Sequence, residues 1–123
     1  MQTDNSFEFK ISISQLGYAA KPTSSDYASM KWNRETVSVS RFIDYIISGH
    51  SYSHIYKRNR RRKDCFLYTN ILSIDVDKTE TSLCDFIATT DLKPTFAYVT
   101  FSNGKDNCYS YRLVFLYLKR NIL

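Results

Sequence analysis

Apolar and polar residues alternate from Phe7 to Ile13 (Phe7-Glu8-Phe9-Lys10-Ile11-Ser12-Ile13), the period-two pattern of a strand with one buried face. Residues 17–35 keep no such period and are rich in Ser, Thr, Lys and Asn, so they predict a surface connection onto which Tyr27, Met30 and Trp32 fold back. From Ser38 the period changes. Val39, Phe42, Ile43, Ile46 and Ile47 fall on one stripe of a helix, with Ser38 placed to cap its start and Gly49 to end it in a left-handed conformation. Two short β-favouring runs follow, Cys65 to Tyr68 and Ile71 to Asp77. Ser82 and Asp85 have the spacing of a capping box ahead of the apolar positions Leu83, Phe86 and Ile87, which predicts a short helix. Finally, Thr95 to Phe101 and Ser110 to Leu118 flank a loop and predict an antiparallel hairpin with a long tip. This order predicts an α+β fold, a mainly antiparallel sheet with helices on one face, in a single domain over residues 1–123.

Composition narrows the reading. The chain has 123 residues and a formal net charge of +5, and six of its 17 Lys and Arg lie in Lys57-Arg58-Asn59-Arg60-Arg61-Arg62-Lys63. Outside that run the chain is close to neutral, so the basicity is local. No stretch approaches the roughly 18 to 20 apolar residues of a membrane span, and Met1 to Asn5 lack the features of a secretion signal. A cytoplasmic protein with no membrane partner is expected. Three widely spaced cysteines, Cys65, Cys84 and Cys108, argue against a disulfide framework or a zinc knuckle.

Candidate chemistry concentrates on the run Ile71 to Asp77. Alternation sends Leu72, Ile74 and Val76 to one side and Ile71, Ser73, Asp75 and Asp77 to the other. Asp75 and Asp77 have Cα atoms about 6 to 7 Å apart on a strand, close enough for their carboxylates to converge on a divalent cation. The same spacing also fits a strand that simply ends in solvated acids. In the hairpin, Ser102 ends one strand and Arg112 lies in the next, where an Arg holds phosphates by paired hydrogen bonds and a Ser donates another; a solvent-facing Arg is the competing reading.

Taken together, Ile71-Leu72-Ser73-Ile74-Asp75-Val76-Asp77, Ser82 to Ile87, Lys93 to Asn103 and Tyr111-Arg112-Leu113-Val114-Phe115 resemble the amino-terminal catalytic half of the archaeo-eukaryotic primase superfamily. The likeness is to primase-polymerase-like replication proteins of plasmids, phages and integrated elements, and it covers roughly residues 30–118. It implies part of an RRM-like catalytic core for DNA replication, a nucleotidyltransferase with Asp75 and Asp77 as catalytic, metal-binding residues for Mg²⁺ or Mn²⁺. It further implies Ser102 and Arg112 as nucleotide-binding residues, with nucleoside triphosphates, single-stranded DNA or a primer-template, and a downstream helicase or remainder of the same protein as partners. Two departures stand out. The widespread family form has His where this chain has Arg112, and no Asp or Glu follows Asp106 to supply the family's third metal-binding acid. Two carboxylates are few for a two-metal centre, so a fragment or a reduced module with weak or absent polymerase activity on its own is expected.

The basic run is the second candidate. Lys57, Arg58, Arg60, Arg61, Arg62 and Lys63, with Tyr52 and Tyr56 before them and Phe66 and Tyr68 after, fit a groove that pairs phosphates with cations and stacks bases on rings. A solvated charged loop is the plainer alternative. The competing function is accordingly a non-catalytic nucleic-acid-binding module derived from the same fold. His50 and His54 have no nearby acid or Cys to complete a zinc set, and no relaxase His-x-His, phosphate-binding Gly-Lys-Ser/Thr loop or Gly-x-Ser-x-Gly elbow occurs.

Overall fold

A computed structural model describes residues 7–117, which form two compact units, residues 7–70 and 71–117. The class is α+β with mostly antiparallel sheets and three helices. Met1 to Asn5 and the expected end of the hairpin at Leu118 lie outside the described residues.

In the first unit, β1 (Glu8–Gly17) is the central strand of a three-stranded sheet, between β2 (Trp32–Ser38) and β3 (His50–Ser53), both antiparallel to it. The alternation that predicts β1 puts Phe9, Ile11 and Ile13 on one face, where Val37 stands opposite Phe9 and Tyr52 opposite Ile13. Helix α2 (Val39–Ile47) drops Phe42 onto that face. Phe42 is fully buried and meets Phe9 and Tyr52 edge to face, with ring centroids 5.6 and 4.8 Å apart. Burying such a ring contributes roughly 1.5 to 3 kcal/mol before packing is counted. As the spacing predicts, the Ser38 hydroxyl accepts from the Arg41 amide, and Gly49 stands beyond the helix end at φ +85°. A β-carbon at Gly49 would collide with the Tyr18 carbonyl, so glycine is required twice over.

Residues 17–35 differ from expectation. They contain helix α1 (Ser24–Ser29), whose capping box pairs Thr23 with Asp26, and the start of β2. The strand has no visible period because Trp32 stands opposite Ser14 and Val37 opposite Phe9, which puts its two large apolar residues on opposite faces. A short antiparallel pair, β4 (Ile55–Tyr56) and β5 (Phe66–Tyr68), completes the unit, with the basic run between its strands.

The second unit holds β6 (Ile71–Thr79), α3 (Leu83–Thr89), β7 (Phe96–Val99) and β8 (Tyr109–Leu116). The sheet order is β6-β8-β7, so the predicted hairpin forms and β8 is central. Ser82 caps α3 through the Asp85 amide, 3.1 Å away. Phe86 of α3 meets Tyr111 of β8 at 6.1 Å, and the Tyr111 hydroxyl donates to the Thr81 carbonyl at 3.0 Å. Tyr111 shares its sheet face with Val76 and Val99 by register, so α3 lies on the apolar side. The expected single sheet is thus three separate sheets among the described residues.

Replacing Phe42 with Ala should lower the unfolding free energy by about 3 to 5 kcal/mol in a denaturant titration. By contrast Ile47→Ala, on the same predicted stripe but 77% exposed, should stay within about 0.5 kcal/mol of the parent.

Candidate functional site

Cross-strand register assembles the first group of side chains. Asp75 of β6 stands directly opposite Arg112 of β8, which in turn stands opposite Tyr98 of β7. Residues paired this way share a face, so the three form a row across all three strands. The Arg112 guanidinium donates to both carboxylate oxygens of Asp75, the second at 3.4 Å, and to the Tyr98 hydroxyl at 3.0 Å. Its carbon also lies 5.8 Å from the Tyr98 ring centre, and Tyr98 stacks on Phe96. The Asp75 side chain is 64% exposed, and ion pairs of that kind contribute only about 0 to 1 kcal/mol. Arg112 is therefore held in place without being locked.

Asp77 is positioned by an irregularity. Val76 pairs with Tyr111 and Thr79 with Tyr109, which leaves Asp77 and Lys78 together opposite the single residue Ser110. This is a β-bulge, and Lys78 absorbs it at φ +53°. The buried Ser110 hydroxyl donates to Asp77 at 2.6 Å, the short distance of a hydroxyl on a charged carboxylate, and accepts from the Lys78 amide at 3.3 Å. The Ser110 amide donates to the Asn103 side-chain oxygen at 3.0 Å. Asp75 and Asp77 are thus both engaged by β8, one by Arg112 and the other by Ser110. Ser102 lies in the turn after β7, where its carbonyl accepts from the Lys105 amide, and the side-chain hydrogen bonds of this group do not include it. No group of three or more His, Cys, Asp or Glu that could hold a metal ion occurs among the described residues. Asp75 and Asp77 supply two carboxylates, so a cation held there would need further oxygen ligands from outside the chain.

The second group belongs to the first unit. Trp32, Arg34, Ser12, Ser14 and Ser53 share the face of the β1 sheet opposite Phe42. The basic run docks on this polar face. Arg34 donates to the Tyr56 carbonyl at 2.9 Å, Arg61 donates to the Ser53 hydroxyl at 3.3 Å, and the Arg61 guanidinium lies 5.8 Å from the Trp32 ring centre. Lys57 to Arg60 close a tight turn through the Arg60 amide and the Lys57 carbonyl, with Arg58 and Asn59 at φ +53° and +56°. Such a turn favours Asn and Gly, so Arg58 sits there against its backbone preference. Arg62 pairs with Asp64 at 3.2 Å, whereas Lys57, Arg58, Arg60 and Lys63 form no ion pair among the described residues. Behind them lies an open cleft of about 590 Å³ lined by His54, Tyr56, Phe66, Arg61, Arg62 and Lys63.

Of the residues singled out from the sequence, Asp75, Asp77 and Arg112 come together across β6 and β8, while the basic run lies in the first unit. Tyr98, Ser110 and Asn103, not singled out from the sequence, are joined to them by hydrogen bonds. Ser110 was accessible through alternation alone, since it lies two residues before Arg112 on the same strand, whereas Asn103 is brought to the site by its loop. No protein-family model, curated protein or solved structure matches this chain.

Burial, together with the positive charge of Arg61, holds His54 below the ordinary histidine range, and its Nδ1 lies 2.7 Å from the Thr69 hydroxyl. The fold favours neutral His54, so the unfolded chain takes up this proton at a higher pH than the folded one. The contribution to stability is complete above the ordinary value of about 6.5 and is lost as pH falls through the lowered folded value. Urea titrations of the parent and His54→Gln should show the parent losing stability relative to the variant between about pH 7.5 and 5.5. Parallel pH profiles for the two proteins would count against this role for His54.

Proposed function

We propose that the chain is part of a primase-polymerase-like nucleotidyltransferase core, taking a nucleoside triphosphate on the β6–β8 face and a nucleic-acid strand on the basic run. The observation that carries the reading is the register that puts Asp75, Arg112 and Tyr98 in one row with Asp77 one bulge further on. Those acids and that arginine are the residues on which the resemblance to the primase superfamily rests. Arg112 presents a planar set of donors already ordered by Asp75 and Tyr98. Because the Asp75 carboxylate is mostly exposed, a phosphate group can exchange for it on the guanidinium. Asp75, once released, and Asp77 would hold Mg²⁺ or Mn²⁺ against the same phosphates. A cation there supplies charge neutralisation at the phosphate oxygens. Ser110 keeps the Asp77 carboxylate oriented, and Tyr98 keeps the guanidinium on the sheet face. The nucleic acid would be drawn to Lys57, Arg58, Arg60 and Lys63, whose charges no acid offsets among the described residues.

The second reading, a non-catalytic nucleic-acid-binding module, is favoured by a specific observation: without a ligand, Arg112 already neutralises Asp75. Calorimetric titration of the full chain with a nucleoside triphosphate, with and without Mn²⁺, separates the two. The nucleotidyltransferase reading predicts Mn²⁺-dependent nucleotide binding that is lost in the Asp75→Ala, Asp77→Ala double variant. Arg112→Ala should weaken it roughly 10- to 100-fold, the scale of hydrogen bonds to a charged group. Salt-sensitive binding of single-stranded DNA with no metal-dependent nucleotide binding would establish the module instead.

A further inference from the structure

The cleft behind the basic run has a chemistry that backbone contact alone does not use. Phe66 is 46% exposed although it belongs to a strand, and its ring is approached edge to face by His54 at 5.6 Å and by Tyr56 at 6.3 Å. The Tyr56 hydroxyl and His54 Nδ1 are engaged by other partners. The Tyr56 hydroxyl is 2.8 Å from that of Ser53, and His54 Nδ1 is hydrogen-bonded to Thr69. The cleft thus brings three rings, His54, Tyr56 and the exposed Phe66, together with Arg61, Arg62 and Lys63. Arg61 is fixed against Trp32 and Ser53, so one cation of the rim is preorganised.

We propose that this cleft is a base-binding site for single-stranded nucleic acid, in which one unstacked base lies on Phe66 while Arg61 and Lys63 hold the flanking phosphates. The proposal rests on the reading that the chain handles nucleic acid and adds to it what the strand must be. The volume, about 590 Å³, falls in the range of sites for small organic ligands and admits a nucleotide. A duplex keeps its base faces stacked and offers the recessed ring nothing, whereas a single strand turns a base out at small cost. A strand fits better than a free nucleotide because Lys57, Arg58 and Arg60, in the turn just before the cleft-lining Arg61, add three cations that do not line the cleft. An acidic peptide would satisfy the cations and leave the ring unused.

Fluorescence anisotropy of the full chain with three labelled probes of equal length tests this: oligo(dT), the same backbone without bases, and a duplex. Oligo(dT) should bind about 5- to 100-fold more tightly than the abasic strand, the scale of one base stacked on an aromatic ring, and more tightly than the duplex. Phe66→Leu should abolish the preference over the abasic strand and leave the salt dependence unchanged, whereas Phe66→Trp should keep it, with circular dichroism unchanged in both. Equal affinity for oligo(dT) and the abasic strand, equal or tighter binding of the duplex, an unaltered Phe66→Leu variant, or competition by poly-glutamate as strong as by oligo(dT) would each overturn the base site. Preserved oligo(dT) preference without Mn²⁺-dependent nucleotide binding supports the base site and removes only the nucleotidyltransferase reading.

Discussion

The antiparallel register between β6 and β8 is the constraint on which the candidate site depends. Pairing Val76 with Tyr111 sets Asp75 opposite Arg112, and side chains that stand opposite one another share a sheet face. A slip of one residue would send Arg112 to the apolar side, where Phe86 of α3 meets Tyr111, and would break the row. The apolar residues around the row resist that slip. Leu113 and Val114 of β8 are buried, one on each face of the sheet, and both would change face. The bulge at Asp77 and Lys78 then ends regular pairing, and the buried Ser110 hydroxyl ties the Asp77 carboxylate back to the sheet.

Two energetic scales divide the molecule between what is built and what is exchangeable. Phe42 and Phe9, or Val114 in the central strand, are buried core residues whose loss costs several kcal/mol. The Asp75–Arg112 pair, mostly exposed on its acidic side, contributes far less and is open to replacement by a competing anion. Arg58 shows the same priority in the first unit, since a left-handed turn position better suited to Gly carries a long cation instead. Both positions leave charge exposed on the surface.

The parts of this arrangement that were legible in the chain are those governed by one-dimensional period. Alternation in Phe7 to Ile13 and Ile71 to Asp77 became β1 and β6, and the 3.6-residue stripe after Ser38 became α2 with its cap and terminal Gly49. β2 was hidden because its apolar residues, Trp32 and Val37, serve opposite faces of one sheet. The division into separate sheets and the bulge opposite Ser110 follow from pairing between distant segments, which no local pattern encodes. For the site, residue types suggested Asp75, Asp77 and Arg112, while Tyr98 joined them only through a cross-strand neighbour relation. Ser102, placed in a turn, was suggested by its position after a strand and does not share in the hydrogen bonds of the row.

On the proposed reading, Arg112 leaves Asp75 for a nucleotide's phosphates when a metal ion takes the carboxylates. The Arg112 side-chain Nε–H resonance in ¹H–¹⁵N spectra reads this directly, because that proton is donated to Asp75 in the free protein. The account predicts a marked shift when Mg²⁺ and a nucleoside triphosphate are added together, little response to Mg²⁺ alone, and no metal-dependent response in Asp77→Ala. A resonance that stays in place with both present would contradict it, and would leave the Asp75–Arg112 pair as a feature of the sheet alone.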